Sequence, residues 1–268
     1  MLPWSPNSLM LPAAAFAASA AALTAYSTFA PRGGLFGPVV SRSPRTNTHA
    51  VALTFDDGPW PGSTDAILDV LEREKVPATF FVIGRYAARH TALIRRIHAQ
   101  GHLLGNHTFD HSRTGLFRGR GYWRDQIQRT NDALHGLTGQ VPTYFRPPMG
   151  FKSPLVMQAA ALNDCRVVTW TRRAFDGIRT TPAAIARNLR RAGAGEILLL
   201  HDGRDPQSSR RVGATADALP MIIARIRARD LSMVRLDDLL DPPLPPAPLR
   251  GVRPNETSPA LAGRSTDQ

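Results

Sequence analysis

Two aspartates, Asp56 and Asp57, stand side by side at the end of an apolar, strand-like run in ALTFDDGPW (residues 52–60). Like charges so close are unfavourable unless something positive lies beside them. A second stretch, GNHTFDH (residues 105–111), supplies two histidines, His107 and His111, four positions apart. The chain has a single cysteine, Cys165, which excludes an internal disulfide and a cysteine-built zinc cluster. Any metal site must therefore draw on histidines and carboxylates. One carboxylate and two neutral imidazoles make an open three-ligand site, and water held by a divalent cation there has its pKa lowered to about 7. Adjacent side chains diverge at a strand end. One aspartate would then bind the metal while the other stays near the water as a base. Arg146 is placed to keep that base ionised, and His201 to protonate a leaving group.

Each of these residues has a plainer reading. Paired Asp before Gly-Pro is ordinary turn chemistry. Two histidines four apart suit a surface, Arg146 before Pro147-Pro148 suits a rigid loop, and His201-Asp202 suits a capping pair. What distinguishes them is their joint placement. Short β-rich runs (HAVALTF, ATFFVIG, HLLGNH, TYFRP, RVVTWT, EILLLHD and SMVRL) alternate with helical patterns near residues 63–74, 86–100, 122–137, 153–162, 182–191 and 214–229. In the first helix Ile67, Val70 and Leu71 share a face, with Asp65, Asp69 and Glu72 outside it. Such alternation with apolar strands predicts an α/β fold with parallel strands. About seven strands in one domain fit a barrel or a distorted barrel, with a doubly wound open sheet as the alternative. Asp56 and Asp57 end the first strand, His107 the third, Arg146 the fourth, His201 and Asp202 the sixth, and Asp176 follows the fifth. In a parallel barrel all these ends lie on one face, where active sites are built. His49, His90, His98, His102 and His135 have no partner pattern and read as structural or surface residues. No Gly-rich nucleotide fingerprint follows the first strand.

The 268 residues, 43% of them hydrophobic, suffice for one full core with tails. The formal net charge is +12, carried almost wholly by arginine, with lysine only at Lys75 and Lys152. A basic surface attracts an anionic partner such as an acidic cell-wall polymer or lipid headgroup. No compact Lys/Arg run with interleaved aromatics is present, so a nucleic acid partner is not expected. Residues 1–31 carry no charged side chain, and their apolar stretch from Leu9 to Ala30 reads as a membrane anchor or a secretory signal. Its start lacks the basic residues of a signal, and the first arginines follow it. The placement expected is the cell envelope, membrane-anchored or exported, with orientation open. Residues 32–47 read as a linker, 48–240 as the catalytic domain, and 241–268 as a Pro-rich flexible tail.

The stretches TFDDGP, HTFDH, FRPPMG, WTRRAFDG and LLLHDG resemble, in order, the five motifs of the polysaccharide deacetylases, carbohydrate esterase family four, over about Ala50 to Leu240. The resemblance implies a deformed (β/α) barrel of about seven parallel strands that removes N- or O-acetyl groups from sugar polymers with a divalent metal. It implies Asp56 as base, Asp57, His107 and His111 as metal ligands, and Arg146 as the arginine holding the base. Asp176 would orient nearby polar groups and His201 would be the general acid. The backbone N–H near Met149 would bind the oxyanion, and Leu199 would line the acetyl-methyl pocket. Pro147, Met149, Trp170 and Leu199 are the expected substrate-binding positions. A His₂Asp set suits zinc, and cobalt or nickel also fit. The chain departs from the family at Met149, in place of an aromatic, at Arg173, in place of an aspartate, and at Gly177, in place of a tryptophan. These changes predict a more open and more basic groove and weigh against chitin-like substrates. The leading expectation is deacetylation of a cell-envelope glycan such as peptidoglycan N-acetylglucosamine. The alternatives are a small-amide or cyclic-ureide hydrolase on the same fold, or a non-catalytic sugar-binding domain. An aspartate-nucleophile phosphatase is excluded, because its carboxylates stand two apart and these are adjacent.

Overall fold

A computed structural model describes residues 7–178, 180–205 and 213–240, with the backbone alone for 7–14. The expected Pro-rich tail, 241–268, lies outside the described residues. Among the described residues there are eight strands: β1 (Ala50–Asp56), β2 (Thr79–Val82), β3 (Leu103–Asn106), β4 (Tyr144–Phe145), β5 (Arg166–Val167), β6 (Arg172–Arg173), β7 (Ile197–His201) and β8 (Ser232–Val234). The helices are α1 (Asn7–Phe29), α2 (Ser63–Glu74), α3 (Gly84–Arg89), α4 (Thr91–Ala99), α5 (Arg120–Thr138), α6 (Pro154–Ala161), α7 (Pro182–Asn188), α8 (Ala214–Arg227) and α9 (Leu236–Leu240). The strands run β5-β4-β3-β2-β1-β7-β6, with β8 added to β1. Every pairing between them is parallel. This is the deformed (β/α) barrel that the alternation of elements predicts.

The period of two along β1 assigns its faces. Val51, Leu53 and Phe55 point outward into the large core shared with α2 and α8, while Ala50 and Ala52 point inward. The small inward residues leave room at the barrel floor for Leu236, Leu239 and Leu240 of α9. By the same parity Ile197, Leu199 and His201 of β7, which pair with Ala52, Thr54 and Asp56, share the inner face. The interior is thus apolar at its floor and charged at its C-terminal mouth.

The predicted elements differ from the observed ones where tertiary contacts intervene. The helix expected over 86–100 is two, broken at His90, whose φ of −120° and ψ of 53° are not helical. The RVVTWT strand is regular only to Val167; Val168 N–H still donates to the Phe145 carbonyl at 2.9 Å, and on its other edge Val168 bridges Val40 of the N-terminal segment, whose carbonyl accepts from Thr169 N–H. Residues 32–47, expected as a linker, pack onto the barrel. Ser43 donates from its backbone to the Gly195 carbonyl at 2.8 Å and from its hydroxyl to the Leu239 carbonyl at 3.0 Å. Thr171 donates to the Ser41 carbonyl at 2.6 Å. This arm crosses from the β5 edge to the β6–β7 edge, where the sheet is open. Upstream, α1 is exposed from Ala15 to Tyr26, and Ser27 is buried. Among the described residues no helix is long and apolar enough to cross a membrane.

Candidate active site

Asp56 continues the inward parity of β1 and ends at the mouth of the barrel. Its Oδ1 accepts from Nη1 of Arg146 at 2.7 Å. Arg146 is wholly buried, an expensive position for a charge unless every donor is used. Nη1 also donates to Thr54 Oγ1 at 2.9 Å and Nη2 to the Thr169 carbonyl at 3.0 Å, while the guanidinium carbon lies 4.1 Å from the Phe81 ring centre. The carboxylate is therefore fixed by a cation that is itself held by β1, by Phe81 of β2 and by the segment after β5.

Asp57 takes the next step in another direction. Its φ of 73° is in the left-handed region, so the chain turns and its side chain departs from that of Asp56. The turn is pressed against the loop after β7. A Cβ on Gly58 would lie 1.9 Å from Asp202 Oδ2, and one on Gly203 would lie 2.0 Å from the Asp57 carbonyl oxygen. Only glycine fits at either position. Asp202, singled out with His201 at the strand end, has a structural part here. Its Oδ2 accepts from Thr64 of α2 at 2.7 Å, and burial pushes its carboxyl up to about 7.

Asp57 Oδ1 lies 3.4 Å from His107 Nε2 and 3.3 Å from His111 Nε2. One ligand atom from each of these three buried residues lies within 4.8 Å of the others. Burial would raise the Asp57 pKa, but His111, His107 and His201 outweigh it and hold the carboxyl well below the usual range. His107 meets the Arg146 carbonyl through Nδ1 at 2.6 Å, so its Nε2 faces Asp57 as a lone-pair donor. The residues fit a divalent cation: two imidazole nitrogens and one carboxylate converge, and the far nitrogen of His107 is held by the Arg146 carbonyl.

His111 is set by a loop in which Thr108 and His111 both have positive φ (66° and 51°). Its N–H donates to Thr108 Oγ1 at 3.1 Å, and Thr108 N–H donates to Asn106 Oδ1 at 2.8 Å. Behind the ring, Nδ1 lies 3.5 Å from Oδ1 of the buried Asp205, whose Oδ2 accepts from Arg113 Nε at 2.7 Å. Burial lowers the His111 pKa, and Asp57 and Asp205 reverse this to a net increase. Sequence reasoning missed Asp205 and Arg113. The Asp205→Asn protein should stay folded and bind zinc about 10–100-fold more weakly, as loss of a ligand's outer carboxylate does. Competition with a chromophoric chelator measures it, and an unchanged affinity would remove Asp205 from the site.

On the far side, His201 Nδ1 pairs with Asp176 Oδ1 at 2.8 Å. Asp176 Oδ2 accepts from the His201 backbone and from Thr215 Oγ1, both at 2.8 Å. Burial lowers the His201 pKa, but Asp176, with Asp57 and Asp56, raises it to about 9. The ring is thus an imidazolium near neutral pH. Met149 has φ 58° and Gly150 φ 72°, and a Cβ on Gly150 would meet Trp170 at 2.6 Å. Trp170 and Leu199 are buried, and the Arg146 guanidinium carbon is 5.9 Å from the Trp170 ring centre. Asp56, Asp57, His107, His111, Arg146, Asp176 and His201 therefore lie together. His102 does not join them. It accepts from the Ala78 N–H through Nδ1 at 3.1 Å, and burial lowers its pKa to about 4.

At the mouth of a parallel barrel, an Asp-His-His trio flanked by a carboxylate–arginine pair and an imidazolium–carboxylate pair is the equipment of a hydrolase. Residues 43–168 match the family described as polysaccharide deacetylase. A Bacillus cereus peptidoglycan-N-acetylglucosamine deacetylase is 31% identical over 72% of this chain and 69% of its own length. A Sinorhizobium fredii chitooligosaccharide deacetylase is 37% identical over 69% of this chain and 90% of its own. A crystal structure of a peptidoglycan N-acetylglucosamine deacetylase superposes with a TM-score of 0.70, at 29% identity, covering 75% of this chain and 92% of that one. The chain belongs to the polysaccharide deacetylase family.

Proposed function

We propose that this protein removes acetyl groups from N-acetylglucosamine of peptidoglycan in the cell envelope, with a divalent metal, zinc by its donor set, held by Asp57, His107 and His111. The observation that carries the reading is the placement of the arginine-held Asp56 beside that trio, with Asp56 Oδ2 3.8 Å from His107 Nε2. The cation would supply a lowered water pKa and polarisation of the acetyl carbonyl. Asp56, held in place by Arg146, takes a proton from the attacking water as its oxygen bonds to the carbonyl carbon. The Met149 N–H donates to the developing oxyanion. The His201 imidazolium gives its proton to the departing nitrogen, so the C–N bond breaks to acetate and a free amine. Asp176 keeps the ring oriented for that transfer. Pro147, Trp170 and Leu199 form the wall for the acetyl methyl.

The mouth also supports an acidic polymer over a neutral one. Arg173 pairs with the inward Leu199 across β6 and β7, so it faces the mouth, and its guanidinium carbon lies 4.2 Å from the Phe175 ring centre. Arg204 lies over Trp60 at 5.2 Å, and Trp60 packs edge-on against Tyr86 at 5.4 Å. Aromatic faces suit sugar rings, and the arginines suit the carboxylates of peptidoglycan. Acetate release from peptidoglycan and from N-acetylglucosamine oligomers, measured before and after chelation and after added zinc or cobalt, tests the proposal. Release should vanish on chelation, return with metal, and be faster on peptidoglycan. Release from small amides alone would favour the other hydrolase reading. No release with metal bound would overturn the catalytic one.

A further inference from the structure

We propose that residues 28–31, where α1 ends, are a built-in support of the loop carrying the Met149 N–H, and that Lys152 is the positioning residue joining the two. The inference rests on the oxyanion role given above to that loop. Lys152 is 1% exposed. Its Nζ donates to the Ala30 carbonyl at 2.8 Å and to the Gly150 carbonyl at 3.2 Å. Among the described residues no carboxylate lies within salt-bridge distance of it, so its charge is met by backbone dipoles from the two segments it bridges. An ammonium buried on those terms disfavours any rearrangement that removes a carbonyl.

Further contacts fasten the same two segments. Lys152 N–H donates to the Thr28 carbonyl at 3.1 Å, and the rings of Phe29 and Phe151 meet edge to face, with centres 5.0 Å apart and planes at 87°. Thr169 Oγ1 donates to the Pro31 carbonyl at 2.8 Å, and the Thr169 carbonyl accepts from Arg146. The end of α1 therefore touches the loop on one side and, through Thr169, the arginine that holds Asp56 on the other. The loop needs such support. Met149 is a non-glycine residue at φ 58°, followed directly by Gly150 at φ 72°, a backbone that persists only when its surroundings over-determine it. Burial lowers the Lys152 pKa to about 8, so the ammonium is still mostly charged at neutral pH.

The test uses the full chain carrying Lys152→Met, which keeps the length of the side chain and removes its donors, and separately Phe29→Ala. Amide hydrogen exchange is read for residues 27–30 and 149–152 alongside kcat, KM and zinc content. Lys152→Met should speed exchange in both segments at least tenfold and lower kcat at least tenfold. KM and zinc content should stay within twofold of the unaltered protein, a split that general destabilisation would not give. Phe29→Ala should move the same amides by a smaller factor, and it decides the matter if Lys152→Met does not fold. Unchanged exchange in the loop of a folded variant overturns the proposal. Faster exchange with unaltered kcat also overturns it, because the support would then have no catalytic role. Because exchange is read without substrate, an unaltered protein that released no acetate would defeat the deacetylase reading while leaving the support itself measurable.

Discussion

The Asp56→Asn protein is expected to keep its metal and lose turnover. Asparagine has nearly the shape of aspartate, and its Oδ1 can still accept from Arg146 Nη1, which now bonds Asp56 at 2.7 Å. The cage around the buried guanidinium stays paired, so the fold should hold. What disappears is the ability to take a proton from water. Loss of a positioned general base lowers rate by roughly 10²–10⁴, and little should compensate here. His201 stands across the mouth as an imidazolium and has no lone pair to offer. The check is acetate release together with metal content on the same preparation. Metal retained with rate lost fits a base outside the ligand set. Wild-type turnover would move the base elsewhere, and loss of metal would make Asp56 a ligand.

His107→Ala should have the other large effect, through a different cause. His107 is fixed at both ends, with Nδ1 at 2.6 Å from the Arg146 carbonyl and Nε2 at 3.4 Å from Asp57 Oδ1. His111 already faces the same carboxylate and cannot also take its place. Two ligands remain, too few for a stable open site. Metal content after dialysis should fall to background. Activity should fall by more than the roughly 100-fold that loss of an outer partner causes. Elemental analysis of the dialysed variant decides, and stoichiometric zinc would show that the trio is not the binding site.

Much of this site is legible in the sequence because a parallel barrel converts strand position into place. Asp56, His107, Arg146 and His201 end separate strands and meet at one mouth, and the period of two puts Asp56 and His201 on the same inner face. The supporting residues are not legible this way. Asp205 sits in a polar run that reads as a turn, and nothing local says that its carboxylate reaches His111. Gly58 and Gly203 read as turn glycines, and their close approach exists only once the two loops are pressed together. Residues 32–47 have the composition of a linker, yet Val40 bridges Val168 just after β5 and Ser43 bonds to Leu239 of α9. Lys152 did leave a trace, as one of only two lysines in a chain whose cations are otherwise arginines.

The pairing of β1 sets an order of events during synthesis. All three proposed metal ligands lie within the first 111 residues of the chain, so a ribosome delivers them early. The strand that leads into Asp57, however, finds β7 along one edge and β8 at the foot of the other. Both partners are made near the end of the described chain, as is the α9 helix that fills the floor. Until they emerge, β1 has β2 beside its upper half but one edge open and no floor beneath its inward alanines, a state in which unpaired strands invite misassembly. The proposed metal trio, although encoded first, reaches its full surroundings only when β7 and β8 close on β1.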